Sequence, residues 1–130
     1  MSGIERKLVN KPWGKEVWLE VNDKYCFKAI HLRGGCQTSF QYHKRKLESS
    51  YVVSGRLEVS LENETGKIEI LLMNPGDSYT VQPLRKHRVM ALEDSVYIET
   101  STPEVDDIIR IQDNYSRPDG RIESEHSGYK

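Results

Sequence analysis

The chain has 130 residues, a size that suits one compact domain with a self-sufficient core and makes a second substantial domain improbable. Nineteen Lys and Arg stand against 20 Asp and Glu, a formal charge of -1, so there is no positive surplus to neutralise phosphates and no nucleic-acid partner is expected. Hydrophobic residues are 36% of the chain, and no apolar run approaches the roughly 18 residues of a membrane span, so no membrane partner is expected either.

In chain order, the first residues, Met1 to Lys7, have no apolar stretch of the kind a secretory leader needs, so a cytoplasmic location is expected. Cys26 and Cys36 then read as thiols, since no CxxC spacing is present. Residues 1–15 are expected to form an extended arm. From Glu16 to Thr100, short apolar, aromatic and β-branched runs alternate with turn formers about every ten residues, the pattern of an all-β sandwich or barrel. Strands are predicted over 16–21, 25–32, 38–43, 50–53, 56–61, 67–72, 78–81, 87–91 and 96–100. Asn22-Asp23, Gly34-Gly35, Ser54-Gly55, Asn63 to Gly66, Asn74-Pro75-Gly76 and Glu93-Asp94 supply the turns. The segment 104–115 is expected to form a helical turn or an irregular arm, with Glu104, Asp106 and Asp107 at its start. A single domain over 1–115 is expected, followed by a flexible tail over 116–130, which has one aliphatic side chain.

Gln41 and His43 lie two apart in one predicted strand, so their side chains share a face. After a short loop, Glu48 opens the next strand, beside them if the two strands pair. His87 begins a much later strand, after the turn at Pro75-Gly76-Asp77 and the bend at Pro83. Brought together inside a barrel, the four offer two oxygens and two nitrogens. That donor set suits one divalent ion of Mn, Fe, Co, Ni or Zn, and suits neither an all-oxygen Ca site nor a thiolate Zn site.

The stretch from Gly35 to Gly55 resembles the first cupin motif, and Pro75 to His87 resembles the second. Lys11-Pro12-Trp13-Gly14, Ser39-Phe40-Gln41-Tyr42-His43 and Asp106-Asp107-Ile108-Ile109-Arg110 are similar to the cupin domain of type II mannose-6-phosphate isomerases and related short stand-alone cupins. The resemblance implies an antiparallel barrel of the double-stranded β-helix, or jelly-roll, kind. It also implies a divalent metal held by Gln41, His43, Glu48 and His87, an aldose–ketose isomerase acting on a phosphorylated or otherwise anionic sugar, and a homodimer. Those isomerases usually carry an Arg two residues before the metal-binding Glu. Here that position is Lys46, assigned a catalytic role, with Arg45 one step earlier as a substrate contact; the usual Gly of the second motif is replaced within Leu84-Arg85-Lys86.

Further candidates have two readings each. Glu99, on the same strand face as Tyr97, is the proton-transferring base if that face is inward; Val96 and Ile98 on the other face are the better core residues. Lys28 is a substrate contact if its anionic partner is a sugar phosphate, and a structural residue if the partner is an internal Glu. Arg110 either reaches the pocket as a substrate contact or pairs with Asp106 or Asp107. Trp13 stacks on a sugar or packs across the barrel end. Two other function classes use the same residues: a non-catalytic sugar- or sugar-nucleotide-binding cupin, and a metal-dependent oxygenase, against which Gln41 argues because three-His sets are commoner there.

Overall fold

A computed structural model describes residues 7–112 and 120–121. Its strands are β1 (Lys7–Lys11), β2 (Gly14–Val21), β3 (Cys26–Leu32), β4 (Phe40–Tyr42), β5 (Glu48–Ser54), β6 (Leu57–Glu62), β7 (Ile68–Met73), β8 (Ser78–Val81), β9 (His87–Ala91), β10 (Ser95–Ser101), β11 (Ile109–Gln112) and β12 (Gly120–Arg121). They form two six-stranded sheets, ordered β1-β2-β3-β10-β5-β8 and β12-β11-β4-β9-β6-β7, with every pairing antiparallel. This is the all-β jelly roll that the turn spacing and the resemblance imply. No helix of the described residues is long and apolar enough to cross a membrane.

The strands form where alternation lets one face be buried. In β3 the inward residues are Cys26, Lys28, Ile30 and Leu32; in β5 they are Glu48, Ser50 and Val52; in β9 they are His87, Val89 and Ala91. Each inward row therefore changes from aliphatic to polar along its length. The antiparallel registers put like with like: Tyr97 lies opposite Ile30 and Val52, whereas Glu99 lies opposite Lys28 and Ser50. One end of the barrel is consequently a dry cluster of Leu32, Val52, Leu57, Val59, Val81, Val89 and Ala91. The other end is an interior lined by charge. Fully burying each Val or Leu of the dry end contributes roughly 1.5–3 kcal/mol, which offsets the cost of ordering the polar end.

The turn joining β5 to β6 needs its glycine. Gly55 has φ +83°, and a Cβ there would lie 2.2 Å from Ser95 Oγ and 2.5 Å from the Asp94 carbonyl oxygen.

Three expectations change. The amino-terminal arm contains a strand, β1, which pairs with β2 across Pro12-Trp13 and buries Val9. The segment after Pro103 is not helical: it turns at Val105-Asp106 and pairs with β4 as β11. Its acidic residues do not cap a helix, because the Asp107 carboxylate is taken by backbone N–H groups of another loop. Of the expected tail, Gly120–Arg121 pair with Ile109 and Arg110, and the rest lies outside the described residues.

Candidate metal centre and its cavity

His43 leaves β4 at its end, and its ring Nδ1 donates to the Asp107 carbonyl oxygen at 2.7 Å. The Asp107 carboxylate in turn accepts the N–H groups of Lys44, Arg45 and Lys46 at 3.0, 2.6 and 2.9 Å, which fixes the loop between β4 and β5. His87 Nδ1 donates to the Arg85 carbonyl oxygen at 3.0 Å. With Nδ1 protonated in both rings, each Nε2 carries a lone pair facing the interior.

Both lone pairs meet Glu48. Its Oε1 lies 3.2 Å from His43 Nε2 and its Oε2 lies 3.7 Å from His87 Nε2; neither Nε2 makes a hydrogen bond among the described residues. The ring centroids are 4.9 Å apart, and the ligand atoms of all three residues lie within 4.8 Å of one another. Acceptors facing acceptors repel unless a cation sits between them. Ligand atoms about 2.1 Å from a common ion lie roughly 3.0–3.4 Å apart, a range that the 3.2 Å separation falls in and the 3.7 Å separation approaches.

Protonation agrees with that use. Burial pushes His87 down to about 4, only partly opposed by the Glu48 charge, so the ring is neutral at pH 7. Burial alone would raise Glu48, but the Lys46 ammonium at 3.3 Å holds it well below the usual carboxylate range. Burial would likewise discharge Lys46, and chiefly the Glu48 carboxylate keeps it protonated.

Glu48 and His87 also line a cavity of about 50 Å³. Gln41 lines it, opposite His87 in the β4–β9 ladder, with its Oε1 accepting from Ser39 Oγ at 2.5 Å. Glu99 also lines it: the Tyr97–Glu99 face of β10 is the inward one, while Val96 and Ile98 point out of the barrel. β10 lies in the middle of its sheet, between β3 and β5, so its inner face borders the polar end whatever its other face could bury. Burial, reinforced by the Glu48 charge, pushes Glu99 up to about 8. Lys28 is buried, with its Nζ 3.5 Å from Glu16 Oε1 and 4.4 Å from the Trp18 ring centroid, so its internal carboxylate is Glu16. Arg110 sits opposite Gln41 in the β11–β4 ladder and is buried in the cavity wall. Trp13 is buried in the same wall and packs with the core.

Arg45 is the correction. It is exposed and lies outside the cavity, because the three successive N–H groups gripped by Asp107 turn Lys46 inward and Arg45 outward. Two charged wall residues escape the sequence reading, Lys11 and Glu16. Glu16 was legible in one respect, since it falls on the same face of β2 as the aromatic Trp18. Lys11 carries no such signal.

A profile of the mannose-6-phosphate isomerase C-terminal family matches residues 4–113. The chain belongs to that family. Among relatives, this family member is 27% identical over 114 residues to mannose-1-phosphate guanylyltransferase of Escherichia coli strain K12, covering 84% of the chain and 23% of the enzyme. The chain thus spans under a quarter of the curated relatives it matches. A solved RmlC-like cupin from Shewanella frigidimarina NCIMB 400 is 24% identical with a TM-score of 0.66, over 82% of this chain and 92% of that one. Oxalate decarboxylase of Bacillus subtilis, a protein with Mn(II) centres, superposes with a TM-score of 0.67 at 16% identity, over 78% of this chain and 28% of that one. The cupin fold is therefore shared with proteins of different names, and the His-Glu-His group is what this family member offers an ion.

Proposed function

We propose that this chain is a divalent-metal-dependent cupin that interconverts an aldose phosphate and a ketose phosphate. The observation that carries the reading is the convergence of His43, Glu48 and His87, two of which line a cavity that also holds Lys46, Glu99 and Arg110. Gln41, His43, Glu48 and His87 would hold the ion, which supplies positive charge to polarise the sugar's carbonyl and hydroxyl oxygens. Glu99 is the base that carries a proton between neighbouring sugar carbons, since a carboxyl near 8 both takes and returns a proton at neutral pH. Lys46 holds Glu48 ionised and faces developing negative charge; Lys28 and Arg110 bind the anionic substituent.

Charge balance supports an anionic ligand. Lys11, Lys28, Lys46 and Arg110 line the cavity with three carboxyl groups, Glu16, Glu48 and Glu99, the last pushed up to about 8 by burial, which leaves a cationic excess to which a divalent ion adds. A phosphate monoester neutralises it. The family match and the guanylyltransferase relative agree with a sugar phosphate as the ligand. To test the reading, protein loaded in turn with Mn, Co, Ni and Zn is incubated with mannose 6-phosphate, fructose 6-phosphate and pentose phosphates. Aldose–ketose interconversion that disappears in Glu99→Gln is the expected result, and no turnover with any of them refutes it.

One observation favours a second reading, a sugar-binding cupin without catalysis. The cavity of about 50 Å³ admits an ion with a water or two, well short of the ordinary small-molecule pocket, so a sugar phosphate has to displace wall side chains to enter. Calorimetric binding of a sugar phosphate or sugar nucleotide without turnover would select that reading.

A further inference from the structure

We infer that a groove on the outside of the barrel, at the dry end remote from the metal centre, binds the phosphate group of a small phosphorylated molecule. The registers set one row across five strands: Asn10 lies opposite Lys15, Lys15 opposite His31, His31 opposite Val96, and Val96 opposite Ser54. Asn10, His31 and Val96 point away from the interior, since the residues flanking each of them in its strand are the buried ones. With Gly14 and Arg33 this row lines a groove of about 420 Å³, within the ordinary range of small-molecule sites, whereas the interior cavity offers about 50 Å³. Gly14 shapes one wall: a Cβ there would lie 1.9 Å from the His31 carbonyl oxygen, so the turn between β1 and β2 lies directly against β3.

The charges in this groove call for an anion. Lys15, Arg33 and the His31 imidazole face a single carboxylate, Asp94, whose Oδ1 is taken by the Gly34 N–H at 2.8 Å. Arg33 is pinned at the rim: its Nη2 donates to the Pro12 carbonyl oxygen and its backbone N–H to the Trp13 carbonyl oxygen at 3.0 Å. The side chains of Lys15 and His31, by contrast, make no hydrogen bond or ion pair among the described residues. Partial burial and the Lys15 ammonium together hold the His31 imidazole below its usual range, the signature of positive charge left uncompensated beside it. Lys15 and His31 are ladder partners, roughly 5 Å apart at their Cα atoms, so both can reach oxygens of one phosphate, and the Arg33 guanidinium adds charge-assisted donors at the rim. The Asn10 amide and the Ser54 hydroxyl, at the two ends of the row, suit the neutral polar groups of the ligand's body. No step of this recognition involves the ion or the interior, so it stands apart from the isomerase reading.

Amide nitrogen–proton NMR of the metal-free protein, titrated with mannose 6-phosphate to ~10 mM and in parallel with unphosphorylated mannose, tests this. The expected shifts centre on Asn10, Lys15, His31 and Ser54, saturate with mannose 6-phosphate and are absent with mannose. Lys15→Ala should weaken the binding about 10-fold, and Lys15→Arg, which keeps the charge, should retain most of it. Lys15 is exposed, so both variants should keep the wild-type far-ultraviolet circular dichroism. Lys67→Ala, at an exposed position on the other sheet's side, should bind as wild type does. No shifts up to ~10 mM, shifts centred on Lys28, Gln41 and Glu99 in the interior cavity, an equal response to mannose, or unchanged affinity in Lys15→Ala would each overturn the proposal.

Discussion

Replacing Asp107 by Ala removes the carboxylate that ties three consecutive N–H groups of the β4–β5 loop. A hydrogen bond to a charged group contributes about 1.5–3 kcal/mol, but water can replace the partner at the exposed Lys44 and Arg45. Lys46 is buried, so the loss is dominated by its N–H, and about 3 kcal/mol in total is expected. For a chain of this length that lowers Tm by roughly 10 °C. Burial alone would raise the Asp107 pKa, but the three N–H groups and His43 hold it below its ordinary 3.8. A depressed carboxylate contributes its stability above the unfolded pKa and loses it as pH falls through the folded one. The wild-type advantage should therefore be complete at pH 7 and fade below about pH 3.8. Asp107→Asn, which keeps one acceptor oxygen, should fall between the two. Thermal unfolding of metal-free protein, followed by circular dichroism at several pH values, makes the measurement. A variant that melts within ~2 °C of wild type at pH 7 would refute the claim that this carboxylate holds the loop.

The double variant His43→Ala, His87→Ala should fold with the wild-type far-ultraviolet spectrum yet lose divalent-ion affinity by at least ~100-fold, read by elemental analysis after dialysis. Lys28→Met leaves the partly buried Glu16 opposite an apolar stem and should cost about 3 kcal/mol in urea denaturation; adding Glu16→Gln should recover most of it, and no recovery would show that the pair is not the cause. Glu99→Gln should stabilise the metal-free protein progressively as pH rises from 4.5 to about 8, because over that window folded Glu99 retains a proton that the unfolded chain has released. A stability difference independent of pH would count against an inward, raised Glu99.

Much of this protein is readable along the chain. The nine strands predicted between Glu16 and Thr100 all form, since period-two burial and Gly, Asn and Asp turns are local properties. Gln41 and His43 declare a shared face by their spacing alone. β1 was not readable, because five residues alternating Leu8 out and Val9 in become a strand only when β2 is there to pair with. Glu99 was ambiguous for a related reason: one alternating run has two faces, and strand composition favoured burying Val96 and Ile98. Its position between β3 and β5 decides otherwise.

Residue types and their periodicity thus determined an all-β barrel, its turns and the donors available to an ion. Only the three-dimensional arrangement decided that His43, Glu48 and His87 come within 4.8 Å, that Lys46 faces in while Arg45 faces out, and that Glu16 is the partner of Lys28. The physical reason is separation along the chain. Glu16 and Lys28, or His43 and Asp107, interact across registers that the backbone ladders set, and no property of either residue's neighbours in sequence contains that register.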